Sequence, residues 1–229
     1  MKKETIYEIE PEMVRIPRGS IELRDDRIQQ VWTTKILPMD LAKHLVTQKQ
    51  YEAVVHANPS AFKGTQLPVE GVSWIDAVTY CNALSDIYSL EKCYETSAAN
   101  KVLLKKEANG FRLPAEAEWE YACRAGSTGI RYGTLDAIAW YKNNSEGTTQ
   151  PVGQKIANDW GLYDMLGNVW EWCSDVYDET VYGSYRIIRG GGWNDNERGC
   201  MATNRRRSHP VAFKIDDLGF RVARNSTAH

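Results

Sequence analysis

Gly161-Leu-Tyr-Asp-Met-Leu-Gly-Asn-Val-Trp-Glu-Trp172 is the stretch on which the reading of this chain turns. It lies in a half of the sequence where regular helix disappears. From residue 127 onward Gly and turn residues recur every few positions, the punctuation of loops and short strands. Strands are expected at Trp170 to Cys173, Tyr185 to Arg189 and Phe220 to Ala223. Two motifs follow, Arg189-Gly-Gly-Gly-Trp193 and Leu218-Gly-Phe-Arg-Val222. One precedes, Gly110-Phe-Arg-Leu-Pro-Ala-Glu-Ala-Glu-Trp-Glu-Tyr-Ala-Cys-Arg-Ala-Gly126. Its Pro114, early glutamates and closing Gly126 spell a helix with a start and a stop.

Further toward the N-terminus the pattern is more regular. Residues 74–90 read as a helix with Ser73 as N-cap, Asp76 favouring the N-terminal dipole, and Ala77, Tyr80, Cys81 and Leu84 as its buried stripe. Residues 44–57 read as a helix starting near Thr47, stapled by Val46 and Tyr51 and stopped by Asn58-Pro59-Ser60. Residues 13–23 read as a strand, a Pro-Arg-Gly turn and a second strand, and Val102 to Leu104 as another. Neither an internal repeat nor a linker is visible. The expectation is one α+β domain over residues 13–224, with an N-terminal extension at 1–12 and a tail at 225–229.

Composition bounds the function. The chain has 229 residues, 28 Lys plus Arg against 30 Asp plus Glu, and a net charge of −2. That balance excludes a protein built mainly to coat nucleic acid or anionic membrane. No run approaches the roughly 18 to 20 apolar residues of a membrane span. Eight Trp and twelve Tyr against four Phe suit both aromatic cores and contact surfaces. The five cysteines, Cys81, Cys93, Cys123, Cys173 and Cys200, contain no CxxC pair. An oxidising compartment would permit two disulfides and a free thiol, and a reducing one would leave five core thiols; mostly buried free thiols are expected. The Met-Lys-Lys-Glu start lacks the apolar segment of a signal peptide, so either the protein is cytosolic or an export signal lies outside this sequence.

The four motifs, in this order, resemble the formylglycine-generating enzyme, or sulfatase-modifying-factor, domain over about residues 13 to 224. Val14-Arg-Ile-Pro17, Val46-Thr-Gln48 with Tyr51, and Val72-Ser-Trp74 support the likeness. The resemblance implies a C-type-lectin-like fold of the formylglycine-generating type: small twisted antiparallel sheets, two main helices and long ordered loops. Trp119, Trp170 and Trp172 then belong to the core. Arg112, Arg189 and Arg221 hydrogen-bond loop carbonyls or carboxylates, as a five-donor guanidinium can.

Oxidase members of this family resemble one another in two cysteines five residues apart, which bind copper. Anchored on Arg189–Trp193, the later falls on Cys200 and the earlier on Asp195. A hard carboxylate is a poor substitute for a Cu(I) thiolate, so no copper and no oxidase activity are expected. Histidines 44, 56, 209 and 229 form no HxxxH pair, and Glu116, Glu118 and Glu120 alternate on a helix and are not expected to converge. No cofactor is required. One structural Ca²⁺ is implied by the family's site, whose counterparts here are the carbonyls of Leu166, Gly167 and Val169 and the carboxylate of Glu171; Glu171 could equally accept loop amides.

The segment between Gly192 and Gly219 reads as neither helix nor alternating strand. Its boundaries and composition resemble the variable region of proteins diversified by a diversity-generating retroelement. That resemblance implies a variable region at about 189–224. Its ligand-binding positions would be Asp195, Arg206, Arg207, Ser208, His209, Val211, Ala212, Phe213, Ile215, Asp216 and Asp217, residue types reachable from adenine-targeted Asn-type codons. Lys214 and Glu197 do not fit that route, and Arg205 matches a scaffold arginine. Trp193 is either a pocket floor or core. Arg206, Arg207, His209 and Phe213 are the chemically strongest anchors. The implied function is a non-catalytic receptor, a monomer at a bacterial cell surface anchored as an outer-membrane lipoprotein, whose partner is a protein or other surface ligand and not nucleic acid. The alternative is a divergent enzyme acting on a protein or peptide.

Overall fold

Thr47 and Ser73 both cap helices, and each builds a full capping box. Thr47 accepts from the Gln50 amide while the Gln50 side chain accepts from the Thr47 amide; Ser73 and Asp76 exchange the same pair. These reciprocal bonds satisfy amides that a helix start otherwise leaves open. A computed structural model describes residues 9–97 and 101–226. The expected extension at 1–12 and tail at 225–229 therefore lie partly outside the described residues, as does His229.

In chain order the elements are β1 (Met13–Ile16), β2 (Gly19–Asp25), β3 (Gln30–Ile36), β4 (Met39–Ala42), α1 (Gln48–Val55), α2 (Trp74–Ile87), β5 (Tyr94–Thr96), β6 (Val102–Leu104), β7 (Phe111–Arg112) and α3 (Glu116–Arg124). Then come α4 (Leu135–Ile138), β8 (Ala139–Trp140), β9 (Leu166–Gly167), β10 (Trp170–Val176), α5 (Glu179–Tyr182), β11 (Arg186–Arg189), β12 (Arg205–Ser208), β13 (Leu218–Gly219) and β14 (Ala223–Asn225). The second half is not free of helix, as its composition suggests, but α4 and α5 are single turns of four residues each. Helix α2 ends three residues short of the expected 90, with Tyr88 as its C-cap. In α3 the left-handed C-cap is Ala125 at φ 44°, and Gly126 follows at φ 90°. The expected strand at Phe220 to Ala223 falls instead at β14, which keeps only Ala223 of that stretch, while Phe220 is a buried core residue outside any strand.

Two four-stranded sheets carry the architecture, ordered β1-β4-β14-β7 and β12-β11-β10-β13. The strands flanking Pro17 belong to different sheets: β1 pairs with β4, and β2 forms a ribbon with β3. The C-terminal motif joins the two sheets. Its Leu218 and Gly219 run parallel to Trp170 and Glu171, and a few residues later Ala223 lies between Leu41 and Arg112. Helices α1 and α2 pack on one core with Trp172, Phe220 and Val222, while α3 packs on another with Leu162, Met165 and Leu166. Trp119, Trp170 and Trp172 are buried, as expected, and all five cysteines are buried free thiols.

The loops are held by buried arginines. Arg221, fully buried, gives Nε to Glu171 Oε2 at 2.6 Å and Nη2 to Oε1 at 3.0 Å, and also bonds the carbonyls of Ala42 and Tyr163. Arg112 pairs with Glu118 at 2.6 and 2.8 Å. Arg189 contacts Glu116, Glu120 and the Ala202 carbonyl. The expectation that the α3 glutamates do not converge is therefore corrected. Glu116 and Glu120 are i,i+4 neighbours on one helix face, and both meet Arg189. The residue between them in the alternation, Glu118, turns away to Arg112.

Candidate binding surface

The segment from Asp195 to Asp217 contains a strand that its sequence conceals. Residues Arg205–Ser208 form β12 at the edge of the second sheet, paired antiparallel with β11 from Arg186↔Ser208 to Arg189↔Arg205. Three consecutive arginines hide the alternation, yet strand geometry still sends successive side chains to opposite faces. Arg205 and Arg207 lie over the Tyr177 ring at 4.6 and 5.1 Å, and Arg207 lies 3.7 Å over Tyr182. Arg206 points the other way, 4.7 Å over the buried Trp170. Arg205 is scaffold: it bonds Glu116 at 2.6 and 3.0 Å and Asp25 at 2.6 Å.

The expected site residues consequently fall in two patches. One holds Arg207 and His209, set against Tyr177, Tyr182 and Tyr185; the His209 ring stands edge-on to Tyr185 at 5.6 Å. The other holds Arg206, Asp195, Asp216, Asp217 and Trp193. Val211 and Ala212 are exposed, as is Asp216. Phe213 and Ile215 pack partly buried against the first core. Ser208 is 6% exposed, so the exposure expected of a diversified position is not found there. Lys214, expected to be constant, is exposed and pairs with Asp76 at 2.6 Å. The segment is tied down by its backbone: the Ile75 amide bonds Pro210 O, and the Gly71 amide bonds Ile215 O.

The second patch is carboxylate-rich. Asp195 Oδ2 accepts from the Trp170 indole at 2.6 Å and from the Gly192 amide at 3.0 Å, and its Oδ1 lies 3.5 Å from Arg206. Asp217 packs against Gly192, where an added Cβ would meet its Cβ at 2.9 Å. Trp193 donates its indole N–H to Asp216 O at 2.9 Å, and its ring meets Phe62 edge-on at 5.4 Å. Beneath Phe62 lies the fully buried Glu70, whose Oε1 accepts the Phe62 amide at 3.0 Å. Trp193 is thus half-buried and serves both as wall and as support. Phe62 and Glu70 escaped the sequence reading: they sit more than a hundred residues away, in a loop with no motif.

Burial pushes the Asp217 carboxyl up to about 6, helped by the charges of Asp195 and Asp216. Because this folded-state value lies above the unfolded one, ionising Asp217 costs stability as pH rises from about 4 to 6, and the cost is constant above. The Asp217→Asn variant is expected to melt a few degrees higher than the parent at pH 7.5. That gain should vanish below about pH 4. A gain of the same size at pH 3.5 and pH 7.5 in thermal melts would refute this assignment.

The residues matching the family's chemistry are arranged otherwise. Cys200 is buried, and burial lifts its thiol to about 12, opposite to the shift a reactive thiolate needs. Asp195 stands where the partner cysteine would be, engaged by Trp170. Both oxygens of Glu171 are occupied by Arg221. With a guanidinium already neutralising its one carboxylate, the set Leu166, Gly167, Val169 and Glu171 does not fit Ca²⁺, which takes six to eight free oxygens.

Small sheets, capped helices and long loops pinned by buried arginines define a C-type-lectin-like domain of the formylglycine-generating type. The chain belongs to the sulfatase-modifying factor enzyme 1-like domain family, whose sequence model matches residues 2–226. It is similar to variable protein 1 of Treponema denticola, with 31% identity, 93% of this chain and 95% of that one covered, and a TM-score of 0.87. The chaperone protein LppX of Paenibacillus barcinonensis is 36% identical over 217 residues, covering 78% of this chain and 76% of that protein. The formylglycine-generating enzyme of Streptomyces coelicolor is 34% identical over 149 residues, covering 51% of this chain and 48% of that enzyme. The chain spans 28% of the length of several kinase-named relatives that it also matches. No helix among the described residues is long and apolar enough to cross a membrane.

Proposed function

We propose that this protein is a non-catalytic ligand-binding receptor, displayed at a bacterial cell surface. Its C-terminal segment, diversified by a retroelement, presents the binding surface on a rigid scaffold. One observation carries the reading: in residues 206–217 exposed side chains ride on a backbone fixed from elsewhere. The fixing contacts are the ladder to β11, the Pro210 and Ile215 carbonyl bonds, and the Arg205 and Arg189 anchors. Such an arrangement lets side chains vary while the fold persists. The likeness to a variable protein supports it, as do Asp195 and the buried, unactivated Cys200 in place of a thiolate pair.

Simultaneous replacement of Arg206, Val211, Ala212 and Asp216 by Ser, Tyr, Asn and Asn tests this. Exposed substitutions cost within about 0.5 kcal/mol each, so the melting temperature should fall by no more than about 8 °C. Replacing Ser208 by Tyr, at a buried position, should cost more than all four together. A quadruple variant that unfolds would remove the basis for calling the segment variable. A near-copy of the codons for residues 189–224 beside the gene, differing at adenines, is the corresponding genetic expectation; its absence would overturn the diversification.

A further inference from the structure

The carboxylate patch is built for a positive charge that the chain itself only partly provides. The turn at Gly192 brings Asp195 and Asp217 together, Asp216 adjoins Asp217, and Glu70 lies under Phe62 within reach of the Asp216 charge. Two oxygens in this group are buried without a hydrogen-bond partner, Glu70 Oε2 and Asp217 Oδ1. A fully buried, half-satisfied carboxylate is costly, and the native chain keeps one here beside three more. Opposing them are Arg206, more than half exposed and only 3.5 Å from Asp195, and Lys63, whose charge reaches Glu70. Burial and the nearby Asp216 push Glu70 up to about 7, against the pull of Lys63 and the loop amides. The adjoining wall is aromatic, Trp193 with Phe62 edge-on to it, and an aromatic face attracts cations.

We infer that this patch, in the receptor proposed above, binds the cationic end of a lysine or arginine side chain on a protein partner, with Asp216 and Asp217 as its counter-ions and Trp193 as its platform. The geometry favours an extended organic cation over a metal. Among the described residues no three Asp, Glu, His or Cys groups converge as metal ligands do. A guanidinium or ammonium, by contrast, donates several N–H groups that carboxylates spread around it can accept. Arg206 gates the patch: it bridges Asp195 and Trp170 until a ligand cation competes for Asp195.

The test uses the intact chain, labelled with nitrogen-15, and reads the indole N–H resonances of Trp193 and Trp170, which bond Asp216 O and Asp195 Oδ2. The probes are N-acetyl-arginine amide, N-acetyl-lysine amide and the uncharged N-acetyl-citrulline amide, each raised to about 10 mM, a range that reveals millimolar dissociation constants. Saturable shifts of both indoles with the cationic probes, and none with citrulline, are expected. Asp216→Asn together with Asp217→Asn should weaken binding at least about tenfold while the remaining amide spectrum is unchanged. The Arg206→Ala variant should bind more tightly than the parent. Equal shifts with citrulline, no saturable shift, or a response to calcium chloride alone would each overturn the inference. If it fails while the quadruple surface variant still folds, the receptor reading stands and only the cationic ligand falls.

Discussion

The Arg221→Met variant is expected to lose a large part of the domain's stability, remaining unfolded or melting about 6–20 °C below the parent. Arg221 is fully buried, and so is its partner Glu171. Removing the guanidinium leaves a carboxylate with no countercharge and strips donors from the Ala42 and Tyr163 carbonyls. Breaking a buried pair from one side typically costs about 3–5 kcal/mol, against a total domain stability of about 5–15 kcal/mol. The second site makes the cause testable. Adding Glu171→Leu to Arg221→Met removes the orphaned charge, and thermal melts should recover part of the loss. The orphaned Tyr163 and Ala42 carbonyls keep the recovery incomplete. A double variant no more stable than Arg221→Met alone would mean that the lost carbonyl bonds, and not the stranded carboxylate, dominate.

Gly167→Ala is expected to be nearly as damaging, although it adds one methyl group. Gly167 sits at φ 78°, where an L side chain is strained, and an added Cβ would run into Trp140 O and approach Trp140 N at 2.8 Å. Both obstacles are backbone atoms of β8, which pairs with Gly167 in register, so neither can swing aside as a side chain would. The variant should either fail to fold or melt well below the parent, in a range corresponding to roughly 3 kcal/mol or more. Gly161→Ala is the control. It shares a positive φ, but an added Cβ there meets nothing within 4 Å, so its cost is conformational only, about 1 kcal/mol. Similar losses in the two variants, measured by urea unfolding, would show that backbone conformation and not the approach of β8 sets the cost.

Much of this was legible in the amino-acid order because its causes are local. Caps, staples and stops act within four residues, so Thr47, Ser73 and the Val102 strand could be read directly. So could the tryptophans of Gly161–Trp172 as core. The binding surface was less legible for a physical reason. Residues 205–208 carry three arginines in a row, so polarity hides a strand that pairs with β11, opposite the buried Ile187 and Ile188. Arg206 and Arg207 look equivalent in sequence. Their opposite faces, one toward Trp170 and one toward Tyr182, exist only once that pairing is made.

The sequence by itself determined the family, the positions of the three longer helices and the mismatch at Asp195, since each follows from residue type and short spacing. Tertiary structure alone decided which charges meet. It brought Glu116 and Glu120 together on Arg189, gave Glu171 to Arg221, and set Glu70, under Phe62, within reach of the Asp216 charge. Ionic and aromatic contacts act over a few ångströms in space, whatever the distance along the chain, and residues a hundred positions apart become neighbours only when the sheets close.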